Sequence, residues 1–217
     1  MNKFLLILII LLTPNLIIAQ GLRFIVFADP QIAWLKPEVR MIENAGLRGG
    51  FIAGLEMDSF FSDNYAFSTG ISLSKNGGKL KFNNPATIKF ESNTEDIKPG
   101  DIVTYKLQYL NIPLGMKFTT REIGYTTVYA KLGLGTHFNI KSHADISSLG
   151  VDNESLKNEI NFFNLSYHFG AGIQYSLGRQ TSVVAGFEYR HRFIDIVSSS
   201  DFKALLNTFS IRLGLLF

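Results

Sequence analysis

The 217 residues carry a net charge of +3, and 18% of them are charged, against about 25% in typical soluble domains. So weak a net field gives no pointer to nucleic acid or an acidic partner. The chain has no cysteine, which excludes disulfides, thiolate nucleophiles, zinc–thiolate sites and the lipid-modified cysteine of a lipoprotein.

Met1-Asn2-Lys3 is a short positive start, residues 4–12 are continuously apolar, Thr13-Pro14-Asn15 interrupts, and Ile17-Ile18-Ala19 leads to Gln20. This is the pattern of a secretory signal peptide over 1–19, cleaved near Ala19/Gln20. The apolar run is broken by Pro14 and falls short of the about 20 residues that an anchoring helix needs. Residues 20–217 are then expected as one exported domain.

Beyond that point period-2 alternation predicts eight strands. They cover residues 23–35, 48–60, 65–82, 101–118, 125–140, 161–177, 181–193 and 204–217. Pro30 suggests a bulge or irregular start in the first. In the fourth, Tyr105, Leu107 and Tyr109 have the opposite parity to Leu110, Ile112, Leu114, Met116 and Phe118, which predicts a bulge near residues 111–113. The stretch "FNLSYHFGAGIQYSLGRQTSVVAGFEYRHRF" at 163–193 shows the pattern most openly. Phe163, Leu165, Tyr167, Phe169, Ile173, Tyr175, Phe187 and Tyr189 take one face, and Ser166, His168, Gly170, Gly172, Glu188, Arg190 and Arg192 the other.

The connections alternate too: 36–47 long, 61–64 short, 83–100 long, 119–124 short, 141–160 long, 178–180 short and 194–203 intermediate. A membrane barrel explains this rhythm, because successive connections lie on opposite sides of the membrane. At bilayer depth every backbone group must pair, so only a helix or a closed barrel spans. The expected fold is therefore all-β: an eight-stranded antiparallel up-and-down transmembrane β-barrel with short periplasmic turns and long extracellular loops, in the bacterial outer membrane. The last strand alternates Phe209, Ile211, Leu213, Leu215 and Phe217 with Ser210, Arg212, Gly214 and Leu216. An amphipathic strand ending on an aromatic, here Phe217, resembles the signal read by the barrel assembly machinery, an expected partner alongside outer-membrane lipid.

Eight strands enclose a lumen that side chains just fill. The inward parity collects Glu56, Asp58, Lys131, His168, Glu188, Arg190, Arg192 and Arg212, with both signs of charge. Buried charges are costly unless paired, so an internal ion-pair network plugging the lumen is expected. Gly54, Gly133, Gly135, Gly170, Gly172, Gly186 and Gly214 would make room for those side chains. Ser166 and His168 share the inward face and Glu188 sits on the next strand, nominally a nucleophile, base and orienter. Alternation alone produces that spacing, so no catalytic site is assigned. His191 falls on the lipid-facing parity near the outer rim, where it would meet head groups. No cofactor, metal cluster or calcium loop stands out. The long loops read as solvated display loops, with a short helix at 152–159 capped by Asp152 or Asn153.

The segments "FADPQIAWLKPE", "GGFIAGLEMDSFFSDNYAFSTGISLSKNGGKLKF", "YLNIPLGMKF" and "AKLGLGTHFNIK" resemble the PorT-like family of outer-membrane β-barrel proteins from Bacteroidetes. The markers are Tyr-Leu-x-Ile-Pro-Leu at 109–114 and Asn-Tyr-Ala-x-Ser-Thr-Gly at 64–70, and the likeness extends over 21–217. It implies a barrel and an outer-membrane location, with no catalytic motif. Through one namesake it also implies a link to type IX protein secretion and its machine components. The residues themselves point to a non-catalytic structural or accessory barrel. A small channel or ligand-binding barrel is the alternative, and a lipid-modifying enzyme the third reading.

Overall fold

The computed structural model describes residues 21–157, 159–178, 180–198 and 202–217; the expected signal peptide lies outside the described residues. Eight long strands form the wall: β1 (Leu22–Pro37), β3 (Arg48–Ser62), β4 (Tyr65–Phe82), β7 (Ile102–Thr119), β8 (Thr126–Ile146), β10 (Phe163–Gly178), β11 (Thr181–Arg192) and β12 (Ala204–Leu216). Each pairs antiparallel with the next, and β12 pairs with β1, so the sheet closes into an up-and-down barrel. Four short strands, β2 (Ile42–Gly46), β5 (Ala86–Lys89), β6 (Thr94–Ile97) and β9 (Val151–Ser155), and one 3-10 turn (Ser147–Leu149) lie in the long connections.

The alternation that makes these strands is turned inside out relative to a soluble domain. Leu114 is 64% exposed and Leu134 60%, whereas Glu56 is 3% and Arg192 1% exposed. Apolar side chains therefore clad the outside and charges fill the inside, as a lipid-embedded barrel requires. Paired residues run round the wall from Ile32 to Phe209, Tyr189, Phe169, Leu132, Met116, Phe67 and Ser59, and return to Leu22. The path comes back ten residues lower on β1, a shear of ten. That stagger tilts the strands, which in such barrels lean about 35–45°.

Neither bulge expected from the sequence is present. β1 keeps one register with β3 through Pro30. Against β12 the ladder lapses only over 28–30 and resumes in the same register. Proline has no N–H to give, and the Asp29 carboxylate accepts the Leu213 N–H instead (2.9 Å). In β7 the pairing with β4 keeps one register on both sides of residues 111–113. The irregularity falls opposite Gln108/Tyr109, in β8, where Ile140 is skipped. Tyr105, Leu107 and Tyr109 point inward like Asn111 and Lys117 because the loop end of the lumen is apolar, so polarity and not direction changes along β7.

The long connections are not simple display loops. Ile88, Phe90, Ile97, Val151, Leu156, Ile196, Val197 and Phe202 pack with Leu35, Leu80, Phe82, Tyr105 and Leu107 into one buried cluster. This cluster caps the loop end of the barrel, with the β5–β6 hairpin folded into it. The helix expected at 152–159 is absent. Residues 151–155 form β9, paired with an extension of β8 that runs six residues beyond Ile140. Asn153 takes a left-handed conformation (φ 53°), and its N–H donates to Asp145 (2.8 Å). Lys106 also contacts Asp145 (2.7 Å).

Burial alone would raise the Asp145 carboxyl, but the Lys106 and Asn153 donors hold it below the ordinary value of 3.8. Its contribution is therefore complete above pH 3.8 and fades as pH falls through the depressed value. Asp145→Asn should weaken the β8–β9 pairing by about 1 kcal/mol, seen as roughly fivefold faster amide exchange at Asn153 near neutral pH. Equal exchange in both proteins would mean that the clamp carries no energy.

Candidate functional site

By strand register the lumen is layered from the turn end upward. An open mouth comes first, a cavity of about 1130 Å³ lined by Arg23, Asn64, Thr119, Gln174, Ser182 and Phe217 among others. A charged layer follows, then a neutral polar layer, then the apolar cap.

The charged layer holds one connected set. Glu56 (β3) accepts from Arg212 (β12, 2.7 Å) and Lys131 (β8, 2.9 Å). Lys131 also reaches Glu188 (β11, 2.6 Å), and Arg212 reaches Glu188 (3.2 Å) and Asp29 (β1, 2.9 Å). Arg190 closes on Glu188. Lys117 (β7) donates to Asp58 (2.5 Å) and lies 3.9 Å from Glu56. Four carboxylates, Asp29, Glu56, Asp58 and Glu188, thus meet four cations, Lys117, Lys131, Arg190 and Arg212, all of them buried. Six of the eight charges singled out from the sequence come together here. Asp29 and Lys117 complete the set and were not singled out. The signal for Lys117 was present, since it alternates with the outward Met116 and Phe118. Asp29 was hidden by the bulge expected at Pro30.

The other two stand apart. Arg192 lies across the face of Tyr109 (3.7 Å to the ring centroid), and its Nε and Nη1 have no acceptor among the described residues. His168 makes no ion pair among the described residues and packs over Gly133, whose absent side chain leaves it room: a Cβ there would stand 3.0 Å from His168 Cε1. Gly172 and Gly186 do the same for Tyr129. A Cβ on either would lie 2.8 or 2.6 Å from the Tyr129 hydroxyl.

The catalytic trio that the sequence made nominally available does not assemble. Glu188 is occupied by Lys131, Arg190 and Arg212. Ser166 instead meets His137 (Oγ to Nε2, 2.7 Å), and His137 Nδ1 meets Asn111 Oδ1 (2.7 Å). Asn111 in turn donates to Ser72 and Ser74. The Asn111–His137–Ser166 chain has nucleophile, base and orienter connectivity, but the three are 2%, 1% and 0% exposed. None of them lines the turn-end mouth. The trio spans β7, β8 and β10, so only the inter-strand register brings it together. His191 lies beside Tyr167 (ring centroids 5.0 Å) and within hydrogen-bond reach of Asn207. Among the described residues no group of three or more His, Cys, Asp or Glu side chains is disposed to hold a metal.

A closed barrel, apolar outside and ionic inside, is an integral outer-membrane protein of the small-barrel class. Residues 19–199 match the family described as "Outer membrane protein beta-barrel domain", and the chain belongs to that family. No curated protein matches it. Among solved structures it is similar to Neisserial surface protein A, at 16% identity over 89% of this chain and 95% of that one, TM-score 0.50. It is also similar to the outer membrane protein OprG of Pseudomonas aeruginosa, at 10% identity over 90% and 95%, TM-score 0.48. The outer membrane protease OmpT of Escherichia coli aligns at 8% identity over 91% and 96%, TM-score 0.43. At these identities the likeness concerns the fold alone.

Proposed function

We propose that this protein is a sealed, non-catalytic outer-membrane barrel with a structural or accessory role. The observation that carries this reading is the double obstruction of the lumen. The ion-pair set from Asp29 to Arg212 fills the middle, and the apolar cluster fills the loop end. A solute path would need both to open. The Asn111–His137–Ser166 chain fits a structural hydrogen-bond relay, because all three side chains are buried and none lines the turn-end mouth. The motif resemblance to PorT-like barrels supports one specific accessory role, assistance to type IX protein secretion, with no argument from geometry.

Two experiments test the reading. The purified chain in planar bilayers is expected to give no stepwise conductance, and discrete openings would return the small channel to first place. A strain lacking the chain is expected to retain cargo with C-terminal sorting domains in its periplasm. An unchanged secreted set would remove the secretion role and leave the sealed barrel.

A further inference from the structure

The outer wall carries an uneven charge distribution at one height. Outward positions on β4 run Ile71, Leu73, Lys75 and, past the two glycines, Lys79 and Lys81. By register Lys75 lies against Gln108, Gly77 against Lys106 and Lys81 against Ile102, while Gln108 and Lys106 pair on with Lys141 and His143 of β8. Five lysines thus occupy one sector of three adjacent strands. They begin where the apolar cladding ends: Leu73 pairs with Leu110, and Lys75 Nζ stands 5.8 Å from the Phe51 ring centroid. Lys106 is neutralised by Asp145. Glu43 lies opposite Lys81 but gives its carboxylate to Asn83. Lys75, Lys79, Lys81 and Lys141 have no carboxylate within salt-bridge distance among the described residues. On the β1, β11 and β10 side the outward positions towards the loop end include the aromatic Trp34, Tyr189, Tyr167 and Phe163. The cations there are Lys36 and Lys203, and Lys203 is 4.0 Å from Asp195.

A membrane barrel holds its wall against lipid. Its long loops face outside, so the top of the apolar cladding marks the outer-leaflet headgroup layer. Four lysines without a salt bridge, gathered on one side above the apolar cladding, complement a headgroup with more than one phosphate. Lysine binds phosphate as a point charge and needs no preformed cage. We propose that the β4–β7–β8 sector docks the phosphate-bearing headgroup of an outer-leaflet glycolipid. The proposal rests on the membrane placement of the barrel and is independent of the sealed lumen.

The test uses the full chain in detergent micelles supplied with bisphosphorylated lipid A, with the same lipid stripped of its phosphates, or with inorganic phosphate. Retained lipid per barrel is counted by native mass spectrometry. Wild-type protein and the opposite-side variant K36Q/K203Q are expected to retain the bisphosphorylated lipid. K75Q/K79Q/K81Q/K141Q is expected to retain about tenfold less. All three should keep the gel shift of a folded barrel, since every exchanged side chain is on the outer surface. Equal retention by the quadruple variant, or equal retention of the dephosphorylated lipid, overturns the proposal. Displacement of the lipid by millimolar inorganic phosphate also overturns it, in favour of a free-anion site.

Discussion

Exchanging Glu56 for glutamine is expected to cost the folded barrel about 3–5 kcal/mol, the range for removing one partner of a buried ion pair. Glu56 is the carboxylate that Arg212 and Lys131 share, with Lys117 close by. Its neutral replacement leaves those three cations with less counter-charge in a space they cannot leave. The loss is read from urea titration of the fast-migrating folded band on unboiled gels. A drop below about 1 kcal/mol would mean that water penetrates the network and screens it as at a surface, which would weaken the sealed-lumen reading. In a double change with Arg212→Gln the two losses should sum to more than the combined effect, because the second exchange relieves the charge that the first strands.

Leu213→Arg is expected to cost about 2–4 kcal/mol, the penalty for a cation near the bilayer midplane on a barrel's lipid face. Leu213 points outward from β12, is 48% exposed, and pairs with Ala185 of β11. The same residue at the loop-end rim, Thr104→Arg, should cost only about 0–1 kcal/mol. The difference between the two variants reports depth directly, measured by reversible unfolding in lipid vesicles. Equal costs would place the lipid belt elsewhere on the wall.

The wall itself was legible because its code is local. Tyr65, Phe67, Ile71 and Leu73 alternate with Ala66, Ser68, Ser72 and Ser74, and the strand expected at 65–82 is β4 with those bounds. The opposite polarity of successive side chains is a property of each strand alone. What escaped was set between strands. β5 and β6 are four residues each, too short to show a period, and they exist because the cap buries Ile88 and Ile97. The inward Tyr105, Leu107 and Tyr109 imitate a change of direction, since sequence polarity cannot tell an apolar lumen from a lipid face. The meeting of His137 with Ser166 depends on β8 and β10 being aligned so that Ser166 faces Gly135, and no spacing within either strand encodes that alignment. Tyr129 is a similar case, because the space it fills is made by glycines on two other strands.

The seam between β1 and β12 joins residues that are almost the whole chain apart: Phe24 and Phe217 exchange backbone hydrogen bonds (2.9 Å each). Arg212 sits beside that seam and bonds to Asp29 on one side of it and Glu188 on the other. A partly assembled sheet, curled but unclosed, would hold Arg212 away from Asp29 and Glu56 while the medium around it loses water. Closure and neutralisation are therefore one event. The barrel has no comfortable half-shut form, and chains in the membrane should divide into shut and unassembled populations with nothing between them.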